Sequence, residues 1–262
     1  MKCWSLWIAA FGLAVPCVVA SSASALPAVF PSGSTVPENL LRIELRFVQP
    51  LRSPPRMDHV HLLDHEGRRI EDAFLDLPLL SADGRRVTLL MHPGRVKSGV
   101  GPNVRVGRAL KAGSIVTLAI DDSGSAVHLH KSWQVTSQES AGPAPDEWTL
   151  DIPPAGSRAP LTVDLRKPVS STAETLIAVR DPSGARVDGV PRLADGETTW
   201  RFVPRRPWVA GRFAVMTNPD MEDAAGNRAC ASFEVTRSER VDCDKGTVAP
   251  FEIRRRGLPA GK

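Results

Sequence analysis

The sequence predicts an all-β protein of two tandem antiparallel β-sandwiches behind an export signal. Short apolar runs with the period of strands recur between turn residues, the same order of runs returns roughly 100 residues later, and an apolar N-terminal run ends in a small-x-small motif. Composition agrees. With 42% hydrophobic and 24% charged residues, the 262-residue chain has the make-up of a folded soluble protein, which excludes extensive disorder. Its 23 prolines and 20 glycines suit many turns between short strands and not a helical bundle. The excess of 33 basic over 29 acidic residues is small, and no basic face is interleaved with aromatics, so nucleic acid is not an expected partner.

At the N-terminus, Lys2 precedes the apolar run Trp4 to Ala20, and Ala23-Ser24-Ala25 fits a cleavage site. Residues 1–25 therefore read as a signal peptide, with Leu26 the first mature residue. Gly12 and Pro16 interrupt the run, which is short for a membrane anchor, and no later stretch is long and apolar enough to cross a bilayer. The expected location is periplasmic, extracellular or cell-surface. Cys3 and Cys17 leave with the signal; Cys230 and Cys243 remain, and an oxidising compartment favours a disulfide between them.

The mature chain opens with a Pro/Ser/Gly-rich linker at 26–37. Leu41 to Phe47 alternates apolar and polar residues, and further strand-like runs cover Val60 to Leu63, Val87 to Met91, Ser114 to Ile120 and Val127 to Val135. Gly107 to Leu110 reads as a single helical turn. The order then repeats: Leu161 to Leu165, Ile177 to Arg180, Thr198 to Pro204, Ala210 to Val215 and Phe233 to Val235. The first copy carries an insertion near 94–108. Domains are expected at 38–138 and 147–236, with a Gly/Pro/Ala-rich linker at 139–146 and a basic tail at 237–262. Inward residues of the strands give the expected cores: Leu41, Ile43, Leu45 and Phe47 in the first, and Trp200, Phe202, Phe213, Val215, Phe233 and Val235 in the second.

Trp200-Arg201-Phe202-Val203-Pro204, Trp208 to Phe213, Met221 to Asn227 and Phe233-Glu234-Val235 together resemble the bacterial Ig-like domains of surface-layer and other exported proteins. Their endings typically read W-x-F-x-P, G-x-Y, D-x-x-G-N and F-x-V. Phe213 stands where tyrosine is usual, and the first copy has Ser123-Gly124-Ser125 in place of the Gly-Asn turn. The resemblance implies Ig-like sandwiches, a spacer, adhesive or scaffolding role towards a protein or cell-envelope partner, and no shared active site.

Three groups of residues invite a chemical reading. His59 and His61, and likewise His128 and His130, are two apart on expected strands, so each pair shares a face. Such a cluster suits Cu or Zn, although solvent-facing strand positions carry histidine for no chemical purpose as well. In the insertion, His92, Arg95, Lys97, Arg105 and Arg108 lie in a glycine-rich loop of the kind that binds an anionic group or decorates a surface. Asp223 to Asn227 offers oxygen ligands but too few for calcium, and reads as a turn with glycine and asparagine at positive φ. No Gly-x-Ser-x-Gly elbow, His-Glu-x-x-His or nucleophile–base motif occurs. The function expected is therefore non-enzymatic: a binding or structural module, with a periplasmic metal-binding protein and an unrecognised enzyme as alternatives.

Overall fold

The structure is a computed structural model that describes residues 26–97, 101–125, 127–233 and 246–254. The expected signal peptide at 1–25 lies outside the described residues. The first unit has eight strands: β1 (Ala28–Phe30), β2 (Thr35–Pro37), β3 (Arg42–Arg46), β4 (Val60–Leu63), β5 (Leu79–Leu80), β6 (Arg86–Leu90), β7 (Ile115–Asp122) and β8 (Val127–Thr136). They form two sheets, ordered β1-β3-β6-β5 and β2-β8-β7-β4. All pairings are antiparallel except β2 with β8, which is parallel. The second unit has β9 (Thr149–Asp151), β10 (Leu161–Asp164), β11 (Ile177–Arg180), β12 (Gly189–Ala194), β13 (Thr199–Pro204), β14 (Gly211–Thr217) and β15 (Val248–Ile253). Its sheets are β12-β13-β10-β9 and β11-β14-β15. In both units the first, second, fifth and fourth strands of the repeat share one sheet, and the third, sixth and seventh share the other. That is the strand order of an Ig-like sandwich. Among the described residues the α-helices are short: α1 (Pro93–Val96), α2 (Gly101–Val106) and α3 (Ala173–Leu176).

Strand alternation explains the cores. Along β8, Val127, Leu129, Trp133 and Val135 are buried while His128, His130, Gln134 and Thr136 are exposed. One apolar cluster runs from Val29 to Val135 and a second from Trp148 to Ile253. The second is a chain of rings: Trp200 stacks on Phe202, Trp208 bridges Phe202 and Phe213, and Phe213 stacks on Phe251. Each of the buried indole N–H groups of Trp133, Trp200 and Trp208 donates to a backbone carbonyl, of Pro31, Glu174 and Ala159 respectively.

Several expectations need correction. The span 26–37, read as linker, supplies β1 and β2; its Pro31 to Ser34 stretch is where the first strand leaves one sheet and joins the other. The span 237–262, read as a tail, supplies β15, whose Phe251 and Ile253 close the second core. Phe233, expected in that core, is 36% exposed and lies in a turn, and Val235 lies outside the described residues. The final described strand begins at Val248, beyond the F-x-V pattern. Leu41 and Phe47 are half-buried at the margin of the first core. The helical residues of the insertion are α1 and α2, and Gly107, at φ 76°, ends α2.

The two units meet on a polar junction. Glu197, 2% exposed, accepts the Ser32 N–H (2.9 Å) and hydroxyl (2.5 Å). Arg42 pairs with Glu222 and donates to the Ser170 hydroxyl at 3.0 Å. Arg46 reaches Glu174 at 3.2 Å and the Ser171 carbonyl at 2.9 Å. Leu41 N–H donates to Ala224 O, so the 218–233 stretch of the second unit packs against the first. The 139–146 segment is held as well: the Glu139 carbonyl accepts from Asn39 Nδ2 (2.7 Å) and Asn227 Nδ2 (3.0 Å).

Burial pushes the Glu197 carboxyl above the usual carboxylate range, against the pull of the two Ser32 bonds. Ser32→Ala removes the hydroxyl donor and leaves that buried oxygen without it. The expected loss is about 1–3 kcal/mol of unfolding free energy, read from urea melts.

Candidate functional site

A groove of about 770 Å3 opens beside β4, the edge strand of its sheet. One wall is the Pro54 to Asp58 stretch, a diproline followed by a short 3-10 turn at Met57–His59. The other wall is 69–76, which bends away after Leu63 and Arg69 form an isolated bridge. Asp72 makes that bend at φ 53°. The floor is apolar: Val60, Leu62 and Ala73 are buried, and Met57, Ile70 and Phe74 are half-buried against the first core. The rim is charged. Arg56 is neutralised by Asp58, whereas Glu71, Asp72 and Asp76 make no ion pair among the described residues. Leu77 and Leu79, 55% and 44% exposed, are the chain neighbours of the lining residues Asp76 and Pro78.

The described part of the insertion buttresses this groove. His92 caps α1, its Nδ1 accepting the Gly94 N–H at 3.0 Å, and its own N–H donates to Ala73 O. Arg95 is buried, 7% exposed; its guanidinium donates to Gly107 O at 2.8 Å and to Glu71 O. Arg108 lies by Glu38 and donates to Gln138 at 2.8 Å. Lys97 sits 4.9 Å from the Phe233 ring centroid, and Arg105 is exposed on α2. The basic residues of the loop are thus spread over separate structural tasks. Arg95, expected to face an anionic group, instead satisfies the Gly107 and Glu71 carbonyls.

His61, His128 and His130 share a sheet, and His59 lies in the turn before it. The register sets His61 and His130 on either side of Ala119, and His128 beside Asp121, so β7 separates the pairs. Two strand spacings make about 10 Å. His59 ends the 3-10 turn, its Nδ1 2.8 Å from Asp121 O, and His128 Nδ1 is 2.6 Å from Asp121 Oδ1. Among the described residues no three His, Cys, Asp or Glu side chains converge as a metal site would require. Only His61 enters the groove; burial first, then Arg69 and His59, hold its imidazole below the ordinary histidine value.

Asp223 to Asn227 is a turn, but a buried one, and only its glycine takes positive φ, at 79°. Asp223 spends its oxygens on Ala225 N–H (2.8 Å), Asn227 N–H (2.9 Å) and Asn227 Nδ2 (2.9 Å). Asp122 plays the matching part at the β7–β8 turn, accepting from Arg56 N–H (3.0 Å), Gly124 N–H (2.9 Å) and the Ser125 hydroxyl (2.8 Å). Of the cysteine pair, Cys230 follows the Asn227 turn and Cys243 lies outside the described residues.

The groove walls were missed in the sequence because 69–78 has no period. The one available signal was local: Glu71, Asp72 and Asp76 fall together in a chain with a basic surplus.

No family model matches the chain, and no curated protein matches it. Among solved structures it is similar to the titin domains Z1Z2 in complex with telethonin, at 11% identity over 86% of this chain and 93% of that one, with a TM-score of 0.24. It is also similar to the N-terminal Ig1-2 module of the Drosophila receptor protein tyrosine phosphatase DLAR, at 10% identity over 74% and 91%, with a TM-score of 0.24. Among the described residues, no helix is long and apolar enough to cross a membrane.

Two predictions follow from this geometry. Arg95→Met strips the donor from the Glu71 and Gly107 carbonyls; the expected cost is about 2 kcal/mol, with faster limited proteolysis within 69–76 and 98–107. Asp122 is held at about 2, the Arg56 N–H contributing most, against an ordinary 3.8. A folded-state value below the unfolded one adds stability above the unfolded pKa and loses it as pH falls through the folded one. Asp122→Asn should therefore flatten the loss of stability between about pH 4 and pH 2 in urea melts relative to the parent protein.

Proposed function

We propose that the chain is a non-enzymatic exported protein whose two Ig-like units act as a binding and structural module in the periplasm or at the cell surface, with the β4 groove as its contact site. One observation carries this reading. The first unit exceeds the second in two connections: β4 to β5 (64–78 against 181–188) and β6 to β7 (91–114 against 205–210). These two extra segments meet, through Arg95 and His92 on one side and Glu71 and Ala73 on the other, and the groove is what they help to wall. A duplicated scaffold that differs where a concavity forms is the arrangement expected of binding loops carried on rigid sheets.

The lining supports a binding role over catalysis. It holds no serine, threonine, cysteine or lysine to act as nucleophile, and Asp58 is held low by Arg56 and so is unsuited to act as a general acid. The bacterial surface-layer type of Ig-like protein is the family this reading favours, with Cys230 and Cys243 joined once the leader is gone.

A photo-cross-linking residue at Leu77, in full-length protein expressed in a Gram-negative host and recovered from outside the cytoplasm, tests the proposal. The expected outcome is a discrete covalent adduct at Leu77 and none from the same residue at Val203 on the second unit. Peptide mapping of that material should give Leu26 as the N-terminus and a Cys230–Cys243 cross-linked peptide. Equal adducts at both positions, or protein retained inside the cell with its leader, would count against it.

A further inference from the structure

The second unit has one end that meets the first unit, at Ser170, Glu197 and Glu222, and one that does not. The free end is made by three connections, 152–160, 181–188 and 205–210. The pairings of Leu161 with Phe202, Gly189 with Pro204, Arg180 with Ala214 and Gly211 with Ile253 bring them together. In the first unit the counterparts of 181–188 and 205–210 help to wall the groove. In the second they carry positive charge.

Arg158, Arg186, Arg205 and Arg206 lie in these connections, Arg212 lies at the start of β14 and Arg254 just past β15; all six are exposed. The nearby carboxylates are already engaged. Asp188 pairs with Arg205 at 3.3 Å, Glu252 pairs with Arg254 at 3.7 Å, and Asp181 accepts the N–H groups of Ser183 and Ala185 inside its own turn. Arg158, Arg186, Arg206 and Arg212 make no ion pair among the described residues. Six guanidiniums against Asp181, Asp188 and Glu252 give this end a surplus of three, on a whole chain of net charge +4. Charge so concentrated fits an anionic partner.

The 205–210 connection adds an apolar tip. Trp208 is buried between Phe202 and Phe213, its backbone N–H donates to Ser157 O at 2.8 Å, and its indole N–H donates to Ala159 O at 2.8 Å. With Trp208 so fixed, its neighbour Val209 is held outward, 60% exposed, between Arg206 and Arg212 in the chain. A soluble polyanion would be held by the guanidiniums alone. An apolar side chain among them adds affinity where the anionic groups cover an apolar interior, as they do in a lipid layer. We infer that the free end of the second unit is a docking surface for an anionic lipid layer: its guanidiniums pair with headgroup phosphates, and Val209 enters the acyl boundary. This surface shares no residue with the groove of the first unit, so either can fail alone.

The test is sedimentation of the mature protein with vesicles of phosphatidylcholine, alone or mixed with phosphatidylglycerol. Binding is expected to the mixed vesicles only, and it should weaken with added salt. Arg206→Gln/Arg212→Gln should weaken it by about tenfold or more with an unaltered thermal melt. Arg52→Gln/Lys111→Gln, the same loss of charge at exposed positions of the first unit, should leave it unchanged. Val209→Ser should weaken it without altering its salt dependence. No binding to the mixed vesicles, equal binding to both kinds, or equal losses from the two double substitutions would overturn the inference. Indifference to Val209→Ser would overturn it too, and tight binding to soluble polygalacturonate would then assign this end to an acidic glycan.

Discussion

The crossing of the first strand from one sheet to the other is the constraint on which the rest of the architecture depends. Between β1 and β2 the chain leaves both ladders, and Pro31 to Ser34 must find partners elsewhere. It finds them in two directions. Inward, the Pro31 carbonyl accepts the Trp133 indole N–H at 3.0 Å and the Ser32 carbonyl accepts Lys131 Nζ at 2.9 Å, tying the corner to β8. Outward, Ser32 gives both its donors to Glu197. That glutamate sits in a turn where Asp195, Gly196 and Glu197 all have positive φ, a conformation two non-glycine residues hold only under external restraint. Gly33 and Gly196 approach so closely that a Cβ on Gly196 would lie 3.1 Å from Gly33 Cα. The same four residues thus close one sandwich and position the next.

Three departures from exact repetition then divide the work. The 218–233 stretch of the second unit brings Glu222, Ala224 and Asn227 onto the first and completes the junction around Arg42, Leu41 and Glu139. The two long connections of the first unit build the groove. Since ordering any loop costs conformational entropy, buried polar anchors hold all three: Asp223 fastens the first, and Arg95, in the insertion, also fastens 64–78 through the Glu71 carbonyl. Charged residues that seemed candidates for ligands are largely the anchors of their own loops.

That outcome explains what could be seen in the sequence. Strands came through where alternation was uninterrupted: Val60–Leu63 and Ile177–Arg180 have the bounds expected, and β8 differs by a residue. Elements set by tertiary context did not. β1, β2, β5 and β9 are two or three residues long and too short to show a period, and β12 and β15 each hold a proline, which reads as a break. Spacing along the chain put each histidine pair on one face, but His59 falls in the 3-10 turn before β4, and that β7 lies between His61 and His130 is a property of topology that spacing does not encode. The groove was invisible for a similar reason: its walls, 54–58 and 69–76, lie on either side of β4 in sequence, and only the folded chain sets them facing one another.

The sheet edges of both units are guarded. β5 and β9 are short, β12 carries Pro191 and β15 carries Pro250, each a device that discourages a second sheet from docking. In the second unit the equivalent of β4 is β11, and the chain returns onto both in the same way: Ile70 N–H bonds Leu62 O as Val187 N–H bonds Val179 O, and Leu63 bridges Arg69 as Arg180 bridges Arg186. The units part only after that return. In the second the chain passes straight into β12, whereas in the first it bends at Asp72 and runs through 71–76 as a wall of the groove before β5. The return segment thus covers the third strand's edge in both units, which leaves no long flat edge there for a second sheet to dock on.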